Sequence, residues 1–258
     1  MIEKLILPEQ ITRHIKNMQC EKDAGGCSAN DVYKFYSPEK TLYLKTGCVP
    51  QELGKEYKIM SWLKGRLPVP EVIEWVCVGE RDYLLMTEIG GEAAYDDYYL
   101  KNPLESVSLL AKGIKMLQSI EITNCPFRRD LDIKLKLAAE DIDNKDMSDW
   151  NKETERRFSS PQELLEYLIK NRPEKEDLAF THGDYCLPNV FGIKSEVAGF
   201  IDLGNAGIAD IWQDIALCIR SMRHNLSSYE YDDILLEQIG VPMNKEKLDY
   251  YILLDELF

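Results

Sequence analysis

Apolar and polar positions alternate through "DVYKFYS" and again through "TLYLKTG", with "PEK" between them, so the pattern predicts two strands in a hairpin that ends at Lys45. Upstream, "LPEQITRHIKNM" has helical spacing after a proline. Downstream, "QELGKEYKIMSWLKG" places Leu53, Tyr57, Met60 and Leu63 three and four apart and ends on Gly65, which predicts a helix. "VPEVIEWVCVGERDYLLMTEIGG" then reads as two more strands and a Gly-Gly break. Strand, strand, helix, strand, strand predicts a small antiparallel sheet carrying one helix, over residues 1–90. Residues 91–258 are mostly helical in pattern: "PLESVSLLAKGIKMLQSIE", "DLDIKLKLAAEDI", "SPQELLEYLIKN", "ADIWQDIALCIRSMRHN" and "NKEKLDYYILLDELF". Short strand candidates, "LAFTHGD", "NVFGI" and "EVAGFIDLG", lie among them. The expectation is a two-lobed α+β protein, with a ligand in the cleft that two lobes commonly form.

Composition narrows the picture. With 258 residues of which 45% are apolar, the chain has enough material for a core. Its apolar runs are strand-sized, and "MIEKLILPEQ" has charges inside its apolar stretch and no small-residue cleavage site, so a soluble, cytoplasmic protein is expected. Seven scattered cysteines with no CxxC pair read as reduced thiols and argue against a zinc site. A formal net charge of −14 repels nucleic acid and anionic membranes and permits a cationic partner, although solubility alone also accounts for it.

The candidate chemistry lies in "THGDYCLPNVF", between two predicted strands, and in "GFIDLG", where Asp202 ends an apolar run. Phosphoryl transfer from a nucleotide needs a base for the acceptor hydroxyl, for which Asp184 is a candidate, and hard oxygen ligands for magnesium, for which Asn189 and Asp202 are candidates. H-x-D-x-x-x-x-N followed by D-x-G across one strand-turn-strand has the order and spacing of a protein-kinase catalytic loop and metal corner. Such a site also needs a strand lysine on the phosphates and a helix carboxylate to hold it; Lys45 and Glu56 stand in that order. "KDAGGCSANDVYK" is neither G-x-G-x-x-G nor a Walker loop, yet its backbone and the Ser28 hydroxyl are placed to cover phosphates. "LLMTEIGG" is the candidate hinge, with Thr87 and Ile89 offering backbone groups to adenine and Tyr43 either stacking on its face or packing in the sheet.

With those residues in view, the chain resembles the aminoglycoside phosphotransferases, most of all the 3'-phosphotransferases. "VYK" with "LYLK", "WLKGRLPVPEV", "LLMTE", "HGDYCLPNVF", "GFIDLGNAGIAD", "QDIALCIRS" and "YYILLDELF" follow the order of that family's signatures over nearly the whole chain. The resemblance implies a protein-kinase-like bilobal fold, a small antiparallel lobe followed by a larger helical one. It implies ATP (GTP being the alternative nucleotide), Mg2+ and an aminoglycoside hydroxyl as acceptor, and hence antibiotic resistance. Asp184 would be the catalytic aspartate, Asn189 and Asp202 the magnesium ligands, Lys45 the phosphate-binding lysine and Glu56 its partner. His182 would support the loop, because the family's chemistry gives it no proton to move. A monomer or weak dimer is expected.

An aminoglycoside is a polycation, so its pocket should carry carboxylates. "EDIDNKDMSDW" supplies Glu140, Asp141, Asp143, Asp146 and Asp149, although a solvated loop is the plainer reading. "LLDELF" sets Asp255, Glu256 and the terminal carboxylate at the end of a predicted helix, where each is unfavourable by roughly 0.3–1 kcal/mol. A bound amine or a frayed tail would account for that, and the resemblance assigns Asp255, Glu256 and Phe258 to the aminoglycoside. Asn205 stands where relatives commonly have arginine, and His224 and Asn225 stand where one branch has acids, which puts the substrate range in question. Two alternatives remain: a kinase of another small alcohol or amine (choline, homoserine or macrolide type), and a non-catalytic nucleotide-binding protein.

Overall fold

A computed structural model describes residues 7–23, 30–48, 52–148 and 150–258, with Glu52 described by its backbone only. The chain divides into two compact units, Met1–Gly91 with Ala198–Gly204, and Glu92–Val197 with Asn205–Phe258.

The first unit contains α1 (Glu9–Thr12), β1 (Gln19–Asp23), β2 (Asp31–Tyr36), β3 (Thr41–Gly47), α2 (Glu52–Leu63), β4 (Val72–Val78) and β5 (Arg81–Thr87). Its strands form one antiparallel sheet in the order β1-β2-β3-β5-β4. β1 was not expected from the sequence: four of the five residues of "QCEKD" are exposed, so the strand has no apolar alternation to betray it. The expected helix over "LPEQITRHIKNM" is reduced to α1, because the chain turns back through Asn17, at φ 66°, to enter β1. What α1 contributes is Ile11, fully buried in a cluster with Tyr33, Phe35, Leu42, Leu44, Tyr83 and Leu85.

Strand period two puts Leu42 and Leu44 into that cluster and turns Tyr43 and Lys45 to the opposite face. On α2, the buried stripe Leu53, Glu56, Met60 and Leu63 contains one carboxylate among apolar side chains. Gly54 brings the helix close to β4, since a Cβ there would lie 2.8 Å from the Trp75 ring, which in turn stacks on Tyr57 at 5.3 Å. Gly65 closes the turn after α2 at φ 78°, as its place in the sequence predicted.

The second unit contains β6 (Glu92–Ala93), α3 (Asp97–Lys101), α4 (Pro103–Gln118), α5 (Leu131–Asp141), α6 (Lys152–Arg157), α7 (Pro161–Lys170), β7 (Leu178–Thr181), β8 (Val190–Ile193), β9 (Glu196–Phe200), β10 (Gly207–Asp210), α8 (Trp212–Leu226), α9 (Tyr231–Ile239) and α10 (Lys245–Asp255). The end of β9 belongs to the first unit. β7 and β10 pair antiparallel, as do β6 and β8. The helix expected from Ala209 begins instead at Trp212, because "GIAD" is taken up by pairing with "LAFT" and the Asp210 carboxylate accepts the Trp212 N–H at 3.0 Å. α4 starts on a proline and buries Val107, Leu110, Ile114 and Leu117 along one face. Among the described residues no helix is long and apolar enough to cross a membrane.

Candidate active site

In the first unit the site grows from the single carboxylate in the α2 stripe. Glu56 is almost wholly buried, and such a charge persists only with a partner. Lys45 supplies it from β3: its Nζ donates to Glu56 Oε1 at 2.8 Å and Oε2 at 3.0 Å, and to Asp202 Oδ1 at 3.1 Å. Burial alone pushes the Lys45 ammonium down, but attraction to Glu56 and Asp202 and the hydrogen bonds to both outweigh it, and the net shift is upward. Lys45 is therefore a permanent cation near neutral pH. Asp202 holds the left-handed backbone, φ 59°, which aspartate tolerates better than most residues, and its side chain is 45% exposed.

In the second unit β7 leads into the loop that carries Asp184 and Asn189. Gly183 turns at φ 84°, and a Cβ there would stand 2.2 Å from the Asn205 carbonyl oxygen, so only glycine fits. Asn205 makes this approach through its backbone, which any residue offers. The loop is suspended from α8: the His182 and Gly183 N–H groups donate to the two Asp214 carboxylate oxygens at 2.7 and 2.9 Å. Burial raises the Asp214 pKa, opposed by attraction to His182 and by those two amides. His182 itself is buried, and its Nδ1 accepts the Asp184 N–H at 3.3 Å, an arrangement that supports the loop. The Leu187 N–H donates to Ser221 Oγ at 3.1 Å, and Tyr185 donates to the Leu110 carbonyl at 2.8 Å, tying the same loop to α8 and α4.

Within this frame Asn189 ends a single 3-10 turn, and its Nδ2 donates to both the backbone oxygen and the carboxylate Oδ2 of Asp184, each at 3.0 Å. The amide nitrogen thereby fixes the aspartate rotamer, and the other side-chain atom of Asn189 is a hard oxygen. Among the described residues no cluster of three or more His, Cys, Asp or Glu is placed to hold an ion.

The acidic C-terminus lines a cavity of about 690 Å³ within the second unit. Asp255 accepts from Arg220 of α8 at 2.5 Å, and Glu256 accepts from the backbone N–H of Asn151 at 3.2 Å and from its side-chain amide. The Trp150 indole donates to the Glu256 carbonyl at 2.9 Å. Burial raises the Glu256 pKa, against the pull of the Asn151 bonds and Arg220. The unfavourable helix end is thus offset by the protein's own cation and amides, an explanation the sequence reading did not contain. Of the expected acidic loop, Asp146 reaches the cavity wall, whereas Glu140 pairs with Lys136 and Asp141 accepts from Asn144. Asp149 and Ser28 lie outside the described residues. His224 and Asn225 both line the cavity.

The residues expected to meet adenine are less uniform. The Thr87 N–H donates to the Glu71 carbonyl at 3.0 Å, so Thr87 has no amide to offer a base, and Ile89 packs where Gly199 leaves room for its side chain. Tyr43 is half-buried with the Lys34 ammonium 5.8 Å from its ring centroid. Sequence reasoning missed Asp214, Arg220 and Lys145. Asp214 had a weak signal: it is an acid beside Gln213 inside "IWQDIALCI", whose other residues are apolar.

Comparison with known proteins agrees with this architecture. The sequence profile of the phosphotransferase enzyme family APH matches residues 21–241. Aminoglycoside 3'-phosphotransferases of Enterococcus faecalis and Staphylococcus aureus are each 35% identical to the chain over 265 aligned positions, spanning 99% of it and 99% of either relative. A crystal structure of an aminoglycoside-3'-phosphotransferase of type VIII superposes with a TM-score of 0.83 at 30% identity, over 93% of this chain and 94% of that one. The α+β fold expected from the sequence, kinase-like with a sheet-rich first part and a helical second, is the fold of these enzymes. A profile match over most of the length, relatives alignable from end to end and a shared fold lead to one assignment: the chain belongs to the APH phosphotransferase enzyme family.

Proposed function

We propose that this protein transfers the γ-phosphoryl group of ATP to the 3'-hydroxyl of an aminoglycoside and so protects a bacterium from the drug. One observation carries the reading. A chain alignable end to end with aminoglycoside 3'-phosphotransferases keeps Lys45 paired to Glu56 and Asp184 hydrogen-bonded to Asn189.

In this reading residues 1–90 serve the nucleotide and residues 91–258 the chemistry and the acceptor. Lys45, held by Glu56, binds the phosphates as a fixed cation, and Ser28 covers them. Ile89, with Thr87 through its carbonyl, meets the adenine edge, and Tyr43 meets its face. Asn189, through its Oδ1, and Asp202 would hold magnesium, which when bound offsets the charge of the phosphate oxygens. Asp184, whose rotamer Asn189 fixes, orients the acceptor hydroxyl and takes its proton as the phosphoryl group departs from the β-phosphate. Asp255, Glu256 and Phe258, with Asp149, receive the substrate's ammonium groups. Six cysteines among the described residues are free thiols, which suits the ATP-supplied, reducing cytoplasm.

The test is a coupled ADP-release assay with kanamycin and with its 3'-deoxy counterpart tobramycin. Turnover is expected with the first and not the second, and Asp184→Asn should lower kcat by roughly 10²–10⁴-fold. Equal turnover of both drugs would contradict the 3' assignment, and a fully active Asp184→Asn protein would remove Asp184 from the chemistry.

A further inference from the structure

The buried face of α5 reads Leu131, Lys134 and Ala138, an apolar stripe broken by one lysine, much as the stripe of α2 is broken by Glu56. Glu56 has Lys45. Lys134 has no such partner: it is only 6% exposed, yet among the described residues its ammonium makes no hydrogen bond and no ion pair. The contact it does make is with the ring of Phe258, whose centroid is 5.0 Å away. A buried cation without a bonded carboxylate is costly to keep, so a lysine in this place calls for a reason other than packing.

The negative charges that reach Lys134 are those of Asp255, Asp214 and Asp184, in falling order, and the Arg129 guanidinium opposes them. Burial pushes the Lys134 pKa down, and the three aspartates pull against that. Each of these acids is already engaged elsewhere: Asp255 by Arg220, Asp214 by the amides of His182 and Gly183, and Asp184 by Asn189. Asp255 and Phe258 line the 690 Å³ cavity, as does Cys186, two residues after Asp184. Lys134 therefore lies beneath the Phe258 ring, where the acidic end of the cavity and the loop of Asp184 are both within reach of a single positive charge.

An aminoglycoside carries ammonium groups beside its hydroxyls, and a carboxylate attracts an ammonium more strongly than a hydroxyl. Without a counter-charge, Asp184 would draw an ammonium into the place where the acceptor hydroxyl must lie, and the drug would bind out of register. We propose that Lys134 is a specificity-determining residue: its buried positive charge offsets the pull of Asp184 and Asp214 on substrate amines, so that a hydroxyl takes the acceptor position. The proposal rests on the aminoglycoside reading. It also accounts for the missing pair, because a carboxylate bonded to Lys134 would cancel the field that the ammonium supplies through the low-dielectric interior.

The experiment measures kcat and KM separately for kanamycin A and for kanamycin B, whose 2'-amine stands beside the 3'-hydroxyl where kanamycin A has a 2'-hydroxyl. Lys134→Met and Lys134→Gln should lower kcat and KM together, roughly three- to tenfold with kanamycin B and less with kanamycin A. The ratio kcat/KM should stay nearly unchanged, which is the signature of binding out of register. Lys134→Arg should keep the wild-type values of both. The two neutral variants should melt no lower than wild-type protein, because they remove a buried cation that has no ion pair. A lower kcat with unchanged or raised KM, an equal loss with both drugs, or unaltered kinetics would overturn the proposal. So would a large fall in Tm in both neutral variants, which would mark Lys134 as a structural prop. Failure of the functional reading is seen separately, as wild-type protein that phosphorylates neither kanamycin.

Discussion

At the residue scale the decisive group outside the proposed chemistry is Asp214. Its two oxygens take the N–H groups of His182 and Gly183, the two residues that aim Asp184. Replacing it with alanine orphans two buried amides at about 1–3 kcal/mol each. The net loss is smaller than that sum, because ionised Asp214 is itself penalised by burial. We expect Asp214→Ala to lower the urea midpoint and to reduce kcat at least tenfold, while Asp214→Asn, which keeps one acceptor, loses less of both. A folded alanine variant with wild-type kcat would show that the loop does not depend on α8. The sign of the pH effect follows from the raised pKa. The Asp214 contribution is full below the ordinary aspartate range and is lost as pH rises through the folded value, so the stability gap between wild-type protein and Asp214→Ala should be widest at low pH and narrow as pH rises through that value. Lys45, Glu56, Asp184, Asn189 and Asp202 could be nominated from the sequence as candidates because phosphoryl transfer calls for those side-chain types in that order. Asp214 showed in the sequence only as an acid within an apolar helical run, and its role was not readable from that, because accepting backbone hydrogen bonds leaves no pattern of residue types around the loop.

At the scale of elements, α10 is attached to the small β7-β10 ribbon through a buried charge. Lys247, near the start of α10, donates to Asp210 Oδ2 at 2.6 Å and to Asp177 Oδ2 at 3.0 Å, and Asp210 is fully buried. Lys247→Met leaves Asp210 without its cation and should cost about 3–5 kcal/mol, read as a fall in Tm. Asp177→Asn should cost far less, since that side chain is 47% exposed. Burial pulls the Lys247 pKa down, but the hydrogen bonds and attraction of the two aspartates win and raise it. Its stabilisation is complete below the ordinary lysine value of about 10.4 and is lost as pH climbs through the folded one. A melting series up to strongly alkaline pH should therefore show wild-type protein converging on Lys247→Met; a constant gap would contradict the assignment. Periodicity revealed α10, α8 and α4 because each has a wide apolar face, and it revealed the β2-β3 hairpin by strict alternation. It missed β1, whose side chains are exposed, and overran the start of α8, where β10 claims the residues through long-range pairing that no local window contains.

At the scale of the whole molecule, the net charge of −14 sets up a field that treats the two substrates oppositely. A polycationic drug is drawn toward the protein and a nucleotide anion is repelled, and salt weakens both effects as the Debye length shrinks from about 30 Å at 0.01 M to about 8 Å at 0.15 M. Across that range kcat/KM for the aminoglycoside should fall by roughly tenfold, near the lower end of known steering effects, while kcat/KM for ATP should hold or rise. The opposite signs make the test specific. Salt that loosened the fold or weakened the Lys45–Glu56 pair would depress both substrates together, whereas a field effect must separate them. A fall in kcat/KM for ATP as steep as that for the drug would mean that the acidity of this chain serves solubility alone, and that selection of the cation rests entirely on the carboxylates of the cavity.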